Sequence, residues 1–320
     1  MTEPLIAVDD VVKTYGARTA LDHVRFAVTG GIVTGLLGPN GAGKSTTLSI
    51  VATLLVAESG AVTVAGHRLP AEAPAARRIL GLVPQRLALY PTLTARENLD
   101  FFAHMQGLRG RAAREAVARV LALVALDGRA NEAVAQFSGG MRRRLNLACG
   151  ILHRPRVVLL DEPTAGVDPQ SRERIFEAVE ALARDGAAVL YSTHYMEEAE
   201  RLCAEVVLLD DGRVVATGTP AELVAQTGMR PRVELRTAHP LPPHWCDGTP
   251  GARIVHGDGT RVALEVTHDA AVSGVLMAAV RAGGDVVEMS VHRPNLADAF
   301  FVLTGRALRD DDGPRDRPHE

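Results

Sequence analysis

Residues Gly38-Pro39-Asn40-Gly41-Ala42-Gly43-Lys44-Ser45 put three glycines, a lysine and a hydroxyl into one short loop. That spacing, GxxxxGK[ST], suits a phosphate chain. Glycines let backbone N–H groups wrap an anion, and a helix N-terminus behind them adds its positive end. The Lys44 ammonium can reach the terminal phosphates, and the Ser45 hydroxyl can ligate Mg2+. Thr46 then continues into the helix. With glycine near ~7% of residues, a chance match in a chain this long is on the order of one in a hundred. Lysine occurs only at positions 13 and 44, every other cation being arginine or histidine. Position 44 thus keeps the compact ammonium in a chain that otherwise prefers the guanidinium fork.

A second constellation is Val157-Val158-Leu159-Leu160-Asp161-Glu162, an apolar run ending in two carboxylates. Downstream of a phosphate loop this is a Walker B arrangement. Asp161 is expected to hold Mg2+, and Glu162 to polarise an attacking water as general base. These two motifs define a phosphate-loop ATPase or GTPase.

The elements that must carry them alternate in type over the first 225 or so residues. Apolar runs at 32–37, 157–160 and 187–191 read as strands buried on both faces. Helical patterns follow at 44–55, 112–126, 172–184 and 197–203. The expected result is a three-layer α/β core around a mostly parallel sheet. The loop Asp210-Asp211-Gly212 joins a hairpin, and Thr219-Pro220-Ala221-Glu222 opens a short helix. Residues 86–155 read as a mainly helical insertion.

After a polar stretch at 227–231 a second unit begins, with strands at 232–236, 252–256, 261–266 and 285–292. It has a turn at Asp258-Gly259, a helix at 270–282, and a last helix capped by Asn295 and running to Gly305. The domains expected are 1–226 and a small α+β unit at 231–308. The charged, apolar-free stretch 309–320 reads as a disordered tail.

Phe137-Ser138-Gly139-Gly140-Met141 resembles the LSGGQ signature of ATP-binding cassette (ABC) proteins and precedes the acidic strand by some twenty residues. The resemblance extends from residue 5 to about 225, with every motif in order. It implies a RecA-like core, a helical insertion and an antiparallel β subdomain. Tyr15 lies where that family stacks an aromatic on adenine. Gln85 matches the residue that touches Mg2+ and water and contacts the permease. Ala165-Gly166-Val167-Asp168 matches the D-loop, and His194 the switch histidine that contacts the γ-phosphate. Catalytic roles would fall to Lys44, Gln85, Glu162 and His194, and metal ligation to Ser45, Gln85 and Asp161. Two copies would pair head to tail, with Ser138, Gly139, Gly140 and Asp168 of one completing the ATP site of the other. Phe137 and Met141 depart from the usual Leu and Gln. This FSGGM form, followed by three arginines, resembles ATP subunits of daunorubicin/doxorubicin-type (ABC-2) self-resistance exporters, as does the C-terminal unit ending Phe300-Phe301-Val302-Leu303-Thr304-Gly305.

The resemblance implies an ATPase powering efflux of a drug-, antibiotic- or lipid-like molecule through a separate membrane permease. An importer motor is the first alternative; its usual C-terminal β-barrel is disfavoured by the final helix. A soluble ABC ATPase acting on nucleic acid or ribosomes is the second. A net charge of −3 disfavours a nucleic-acid partner. Cys149, Cys203 and Cys246 are scattered and outside any metal spacing, so they read as reduced thiols. No stretch approaches the ~18 apolar residues of a membrane helix, and no secretory leader is read. The location expected is therefore the cytoplasmic face of the cell membrane, through the permease.

Overall fold

A computed structural model describes residues 3–305; the tail expected at 309–320 lies outside them. In chain order the elements are β1 (Ile6–Tyr15), β2 (Arg18–Val28), β3 (Val33–Leu37), α1 (Lys44–Val51), β4 (Ser59–Val64), β5 (His67–Leu69), α2 (Ala73–Arg77) and β6 (Leu80–Val83). Then come α3 (Ala95–Met105), α4 (Gly110–Leu123), α5 (Gly139–Gly150), β7 (Val157–Asp161), α6 (Pro169–Arg184), β8 (Ala188–Thr193), α7 (Met196–Leu202), β9 (Glu205–Asp210), β10 (Arg213–Gly218) and α8 (Pro220–Gln226). The chain ends with β11 (Arg232–Thr237), β12 (Ala252–Gly257), β13 (Arg261–Val266), α9 (Asp269–Arg281), β14 (Val286–His292) and α10 (Leu296–Thr304). Among the described residues two compact units result, one comprising 3–220 and 303–305, the other Ala221–Val302. The division falls before most of α8, earlier than the polar stretch at 227–231.

In the first unit a six-stranded sheet has the order β10-β9-β3-β8-β7-β6. All pairs are parallel except β9 with β10. The register sets Leu37 beside Thr193 and Asp161 beside Ser192. The C-terminal ends of β3, β7 and β8 therefore lie side by side. Everything emitted there, the glycine loop, Asp161-Glu162 and His194, converges on one edge, which is where open α/β sheets bind ligands. A second, antiparallel sheet of order β2-β1-β4-β5 shares a core with the first. Helix α1 contributes Leu48, Ile50 and Val51 to that shared core.

Helix α1 is shorter than its apolar pattern suggests. Thr53 adopts φ 62, a left-handed conformation, and the N–H groups of Leu54 and Leu55 turn back to the Ser49 carbonyl. The apolar run continues past this stop, so Leu54 and Val56 end up exposed, neither strand nor helix face. The insertion is helical as expected. Thr94 and Glu97 close a reciprocal capping box at the start of α3.

The second unit is an antiparallel sheet of order β12-β13-β11-β14. Val233, Leu235, Val262, Leu264 and Val266 of the sheet pack with Ala271, Val275 and Ala279 of α9. The Asp258 carboxylate accepts from the N–H groups of Thr260 and Arg261 at 3.0 and 2.7 Å, building the expected turn. Asn295 and Asp298 cap α10 reciprocally, at 2.9 and 3.0 Å. Among the described residues no helix is long and apolar enough to cross a membrane.

Candidate functional site

The glycine loop follows β3 and ends at Gly43, the N-cap of α1, with φ 109. A Cβ there would stand 2.6 Å from the Ala20 carbonyl, so both the conformation and the close approach demand glycine. Lys44 is 5% exposed. Its Nζ donates to the carbonyls of Gly38 (2.7 Å) and Pro39 (3.1 Å) and stands 3.6 Å from Glu162 Oε1. Burial pulls the Lys44 pKa below the usual lysine range, and the Glu162 carboxylate partly opposes that shift. The ammonium is thus held out of water by two main-chain carbonyls and one carboxylate, at the head of the glycine loop.

At the end of β7 the two acids turn different ways. Asp161 Oδ1 accepts from Ser192 Oγ (2.8 Å) and Ser45 Oγ (3.3 Å). Adjacent oxygens around an octahedral Mg2+ stand about 2.9 Å apart, given ligand distances of ~2.0–2.1 Å. Ser45 and Asp161 thus fit two neighbouring positions of a hard-cation shell. Glu162 has φ 45, a left-handed backbone that costs on the order of 1–3 kcal/mol and gathers at functional sites. Its N–H donates to Ser192 Oγ at 3.1 Å. Its carboxylate accepts from Gln85 Nε2 (2.9 Å) and lies 3.2 Å from His194 Nδ1. Gln85, His194 and Lys44 thus converge on one buried carboxylate, with Gln85 turned to Glu162 through its amide nitrogen.

Above these groups opens a cavity of about 360 Å3, walled by Asn40, Gly41, Gly43–Thr46, Gln85 and Glu162 on one side and Tyr15, Arg18 and Ala20 on the other. Tyr15 is half exposed, its ring free to take a flat partner, with Lys13 Nζ 5.7 Å from the ring centroid. Gly38, Pro39 and Ala42, also expected to bind ATP, belong to the same loop but do not line the cavity. Arg18, whose guanidinium donates to the Gly41 carbonyl at 2.9 Å, is a wall residue the sequence reading did not single out. Ser192, fully buried behind the wall, was also not singled out, since only the β7–β8 register shows that it holds both acids.

Ser138, Gly139, Gly140 and Asp168 do not line this cavity. Ser138 is the N-cap of α5, its hydroxyl accepting from Met141 N–H at 3.2 Å. Asp168 is the N-cap of α6 and accepts from Ser171 N–H at 2.9 Å, which holds its carboxyl below the usual range. Gly140 sits against Ser171, where α5 crosses α6. Phe137 is buried, so an aromatic in place of Leu serves as an anchor for the loop. The three arginines that follow all donate to main-chain carbonyls. Arg142 reaches Phe137 (2.9 Å), Arg143 reaches Gln85, and Arg144 reaches Val124 (2.8 Å) and Ala125 (3.0 Å). Arg143 therefore ties the helix bearing the glycines to the glutamine beside Glu162.

Residues 21–165 match the family model described as ABC transporter. The chain is 38% identical over 316 residues to the linearmycin resistance ATP-binding protein LnrL of Bacillus subtilis (strain 168), spanning 96% of this chain and 100% of that one. It is 39% identical over 316 residues to the daunorubicin resistance ATP-binding protein DrrA3 of Streptomyces coeruleorubidus, spanning 95% and 97%. A solved dimeric ATP-binding cassette in a post-hydrolysis state, bound to ADP and phosphate, superposes with a TM-score of 0.61 at 28% identity, over 67% of this chain and 98% of that one. A phosphate loop facing a paired acid edge, and identity spread along nearly the whole chain, place this protein in the ABC transporter family as an ATP-binding, ATP-hydrolysing subunit.

Proposed function

We propose that the chain powers export of a drug-, antibiotic- or lipid-like molecule through a separate permease, and that Glu162 is the base of its ATPase cycle. The observation that carries the catalytic reading is the single buried carboxylate on which Gln85, His194 and Lys44 converge. In the proposed roles Tyr15 stacks on adenine, and residues 38–46 enclose the phosphates. Lys44 exchanges its carbonyl partners for the β- and γ-phosphates. Ser45 and Asp161, with the Gln85 amide oxygen, would hold Mg2+, whose chemistry is to neutralise charge developing on the phosphate oxygens. Glu162 takes the proton of the attacking water, Gln85 orients that water, and His194 faces the γ-phosphate. The family resemblance gives Ser138, Gly139, Gly140 and Asp168 to the site of a second copy packed head to tail, and their lying off this cavity supports that reading.

The export reading draws on the resistance functions in the relatives' names, and it places the chain at the cytoplasmic face of the membrane. A groove of about 340 Å3 lined by Leu54, Ala88, Phe102 and Gln106 suits a permease segment. Beside it Tyr90 and Phe101 stack edge to face, 5.0 Å apart, and both are exposed. The fold of the second unit, an α+β sandwich without a barrel, favours export over import. Glu162→Gln tests the centre of this reading. The variant should bind ATP as before and lose about 100-fold or more of its turnover, a loss within the range of general-base contributions. Turnover within twofold of the parent would remove Glu162 as the base.

A further inference from the structure

Behind the catalytic edge lies a second buried carboxylate with no part in the roles above. Glu198, on α7, has a side chain only 1% exposed. Three hydroxyls donate to it: Thr164 Oγ1 at 2.7 Å, Tyr191 OH at 2.9 Å and Thr193 Oγ1 at 2.9 Å. Arg172 Nε stands 3.5 Å from the same carboxylate, close enough for an ion pair but without a hydrogen bond. A buried carboxylate is costly unless paired and hydrogen-bonded, so an arrangement this complete is held against a large desolvation penalty.

Its partners come from three segments around the acids: the turn after Glu162, strand β8 before His194, and the start of α6. Thr164 lies two residues after Glu162, in the turn where Ala165 N–H donates to the Glu162 carbonyl (3.2 Å). Thr193 precedes His194, and its Oγ1 also accepts from Tyr195 N–H at 3.0 Å. The His194 and Tyr195 rings lie 4.0 Å apart between centroids. Arg172 belongs to the first turn of α6, its N–H donating to the Asp168 carbonyl at 2.9 Å. Its guanidinium carbon stands 6.0 Å from the centre of the Tyr195 ring. Glu198 is itself not among the residues that line the cavity.

From this geometry we infer that Glu198 is a positioning residue for ATP hydrolysis. It locks the turn after Glu162, the strand end before His194 and the helix capped by Asp168 into one frame, without contacting nucleotide. The inference rests on the reading of Glu162 and His194 as the hydrolytic pair. The carboxylate sets the spacing of the two backbones. Arg172 makes that spacing depend on where the start of α6 sits. A displacement on the order of 1 Å at a reacting pair can cost ~100-fold in rate.

The test compares Glu198→Gln, Tyr191→Phe, Arg172→Lys and, as a reference, Glu162→Gln, all in the full chain. ATP affinity, steady-state kcat and KM, and thermal unfolding are measured for each. Glutamine keeps the shape but offers a single acceptor oxygen, and cannot pair with Arg172. The expected pattern for Glu198→Gln is ATP affinity within twofold of the parent and kcat lower by about tenfold. Tyr191→Phe, which leaves two hydroxyl donors, should fall between that variant and the parent. Arg172→Lys, which keeps the charge, should retain most of kcat. A kcat within twofold of the parent for Glu198→Gln overturns the inference, as does loss of affinity in proportion to lost folded protein, which marks a merely structural group. If Glu162→Gln also turns over ATP normally, the catalytic reading itself has failed. If it is inactive while Glu198→Gln is not, only the positioning role has.

Discussion

Gly140→Ala probes the crossing of α5 and α6, where the space for a methyl group is already filled. A methyl at Gly140 would lie 2.5 Å from Ser171 Cβ, 2.9 Å from Asp168 Oδ2, and closer still to Ser171 Oγ. Such approaches lie inside van der Waals contact, so the two helices must part or Ser171 must move. Overpacking of a tight contact costs typically ~1–3 kcal/mol, and removing a helical glycine returns up to ~1 kcal/mol. A net loss of about 1–2 kcal/mol lowers Tm by roughly 3–6 °C in a domain of this size. The cause can be isolated by adding Ser171→Gly, which deletes both the Cβ and the Oγ that the new methyl strikes. Alone, Ser171→Gly should destabilise by about 1 kcal/mol through helix propensity. Together the two should cost less than their sum, with a coupling of about 1 kcal/mol or more. Thermal and urea unfolding of the four proteins measure this directly. Additive losses, or a Gly140→Ala variant that melts with the parent, would refute the steric account.

Two further outcomes follow from the cavity and from the cap of α6. Tyr15→Ala should weaken ATP binding about tenfold while Tyr15→Phe leaves it unchanged, since base–aromatic stacking is worth ~1–3 kcal/mol and needs no hydroxyl; equal effects of both on equilibrium binding would count against stacking. The Ser171 N–H holds the Asp168 carboxyl below its ordinary range, so Asp168 contributes stability above the unfolded-state value, and loses it as pH falls through the lower folded one. Asp168→Asn should therefore be less stable than the parent at neutral pH and converge with it below about pH 3.9, read from urea midpoints. A gap that stays constant across the titration would exclude ionisation as its cause.

The residues that converge on the cavity were legible because the chemistry proposed for them forces local spacing. A phosphate loop must be glycine-rich and contiguous, and an acid at a strand end is marked by the apolar run before it. The antiparallel sheet was harder to place strand by strand. β1 carries register shifts against β2 between Val8 and Val11 and again near Lys13, and Asp10 takes φ 58. Each bulge resets the alternation, so Ile6–Tyr15 shows no clean period of two. The end of α1 was obscured in the opposite sense. Its apolar residues run on through Leu54 to Val56, and only the left-handed Thr53 stops the helix. Backbone conformation at one threonine is not a compositional signal.

Glu198 shows the same boundary from the side of function. The run Met196-Glu197-Glu198-Ala199-Glu200 offers three carboxylates within four residues, and side-chain chemistry alone ranks none above the others. Helical spacing gives the first hint, because Glu198 neighbours the buried pair Met196 and Ala199, whereas Glu197 and Glu200 face solvent. A buried glutamate on an apolar helix face breaks the pattern that makes the helix amphipathic, and that break asks what pairs it. The answer requires Thr164, Tyr191 and Thr193, hydroxyls placed by the β7–β8 register and the turn after Glu162. Each is unremarkable in sequence, and together they bind one carboxylate. Groups that touch substrate are constrained by the substrate's chemistry and recur in readable spacing. Those that position them are constrained only by the fold, and become visible when strand register and burial are known.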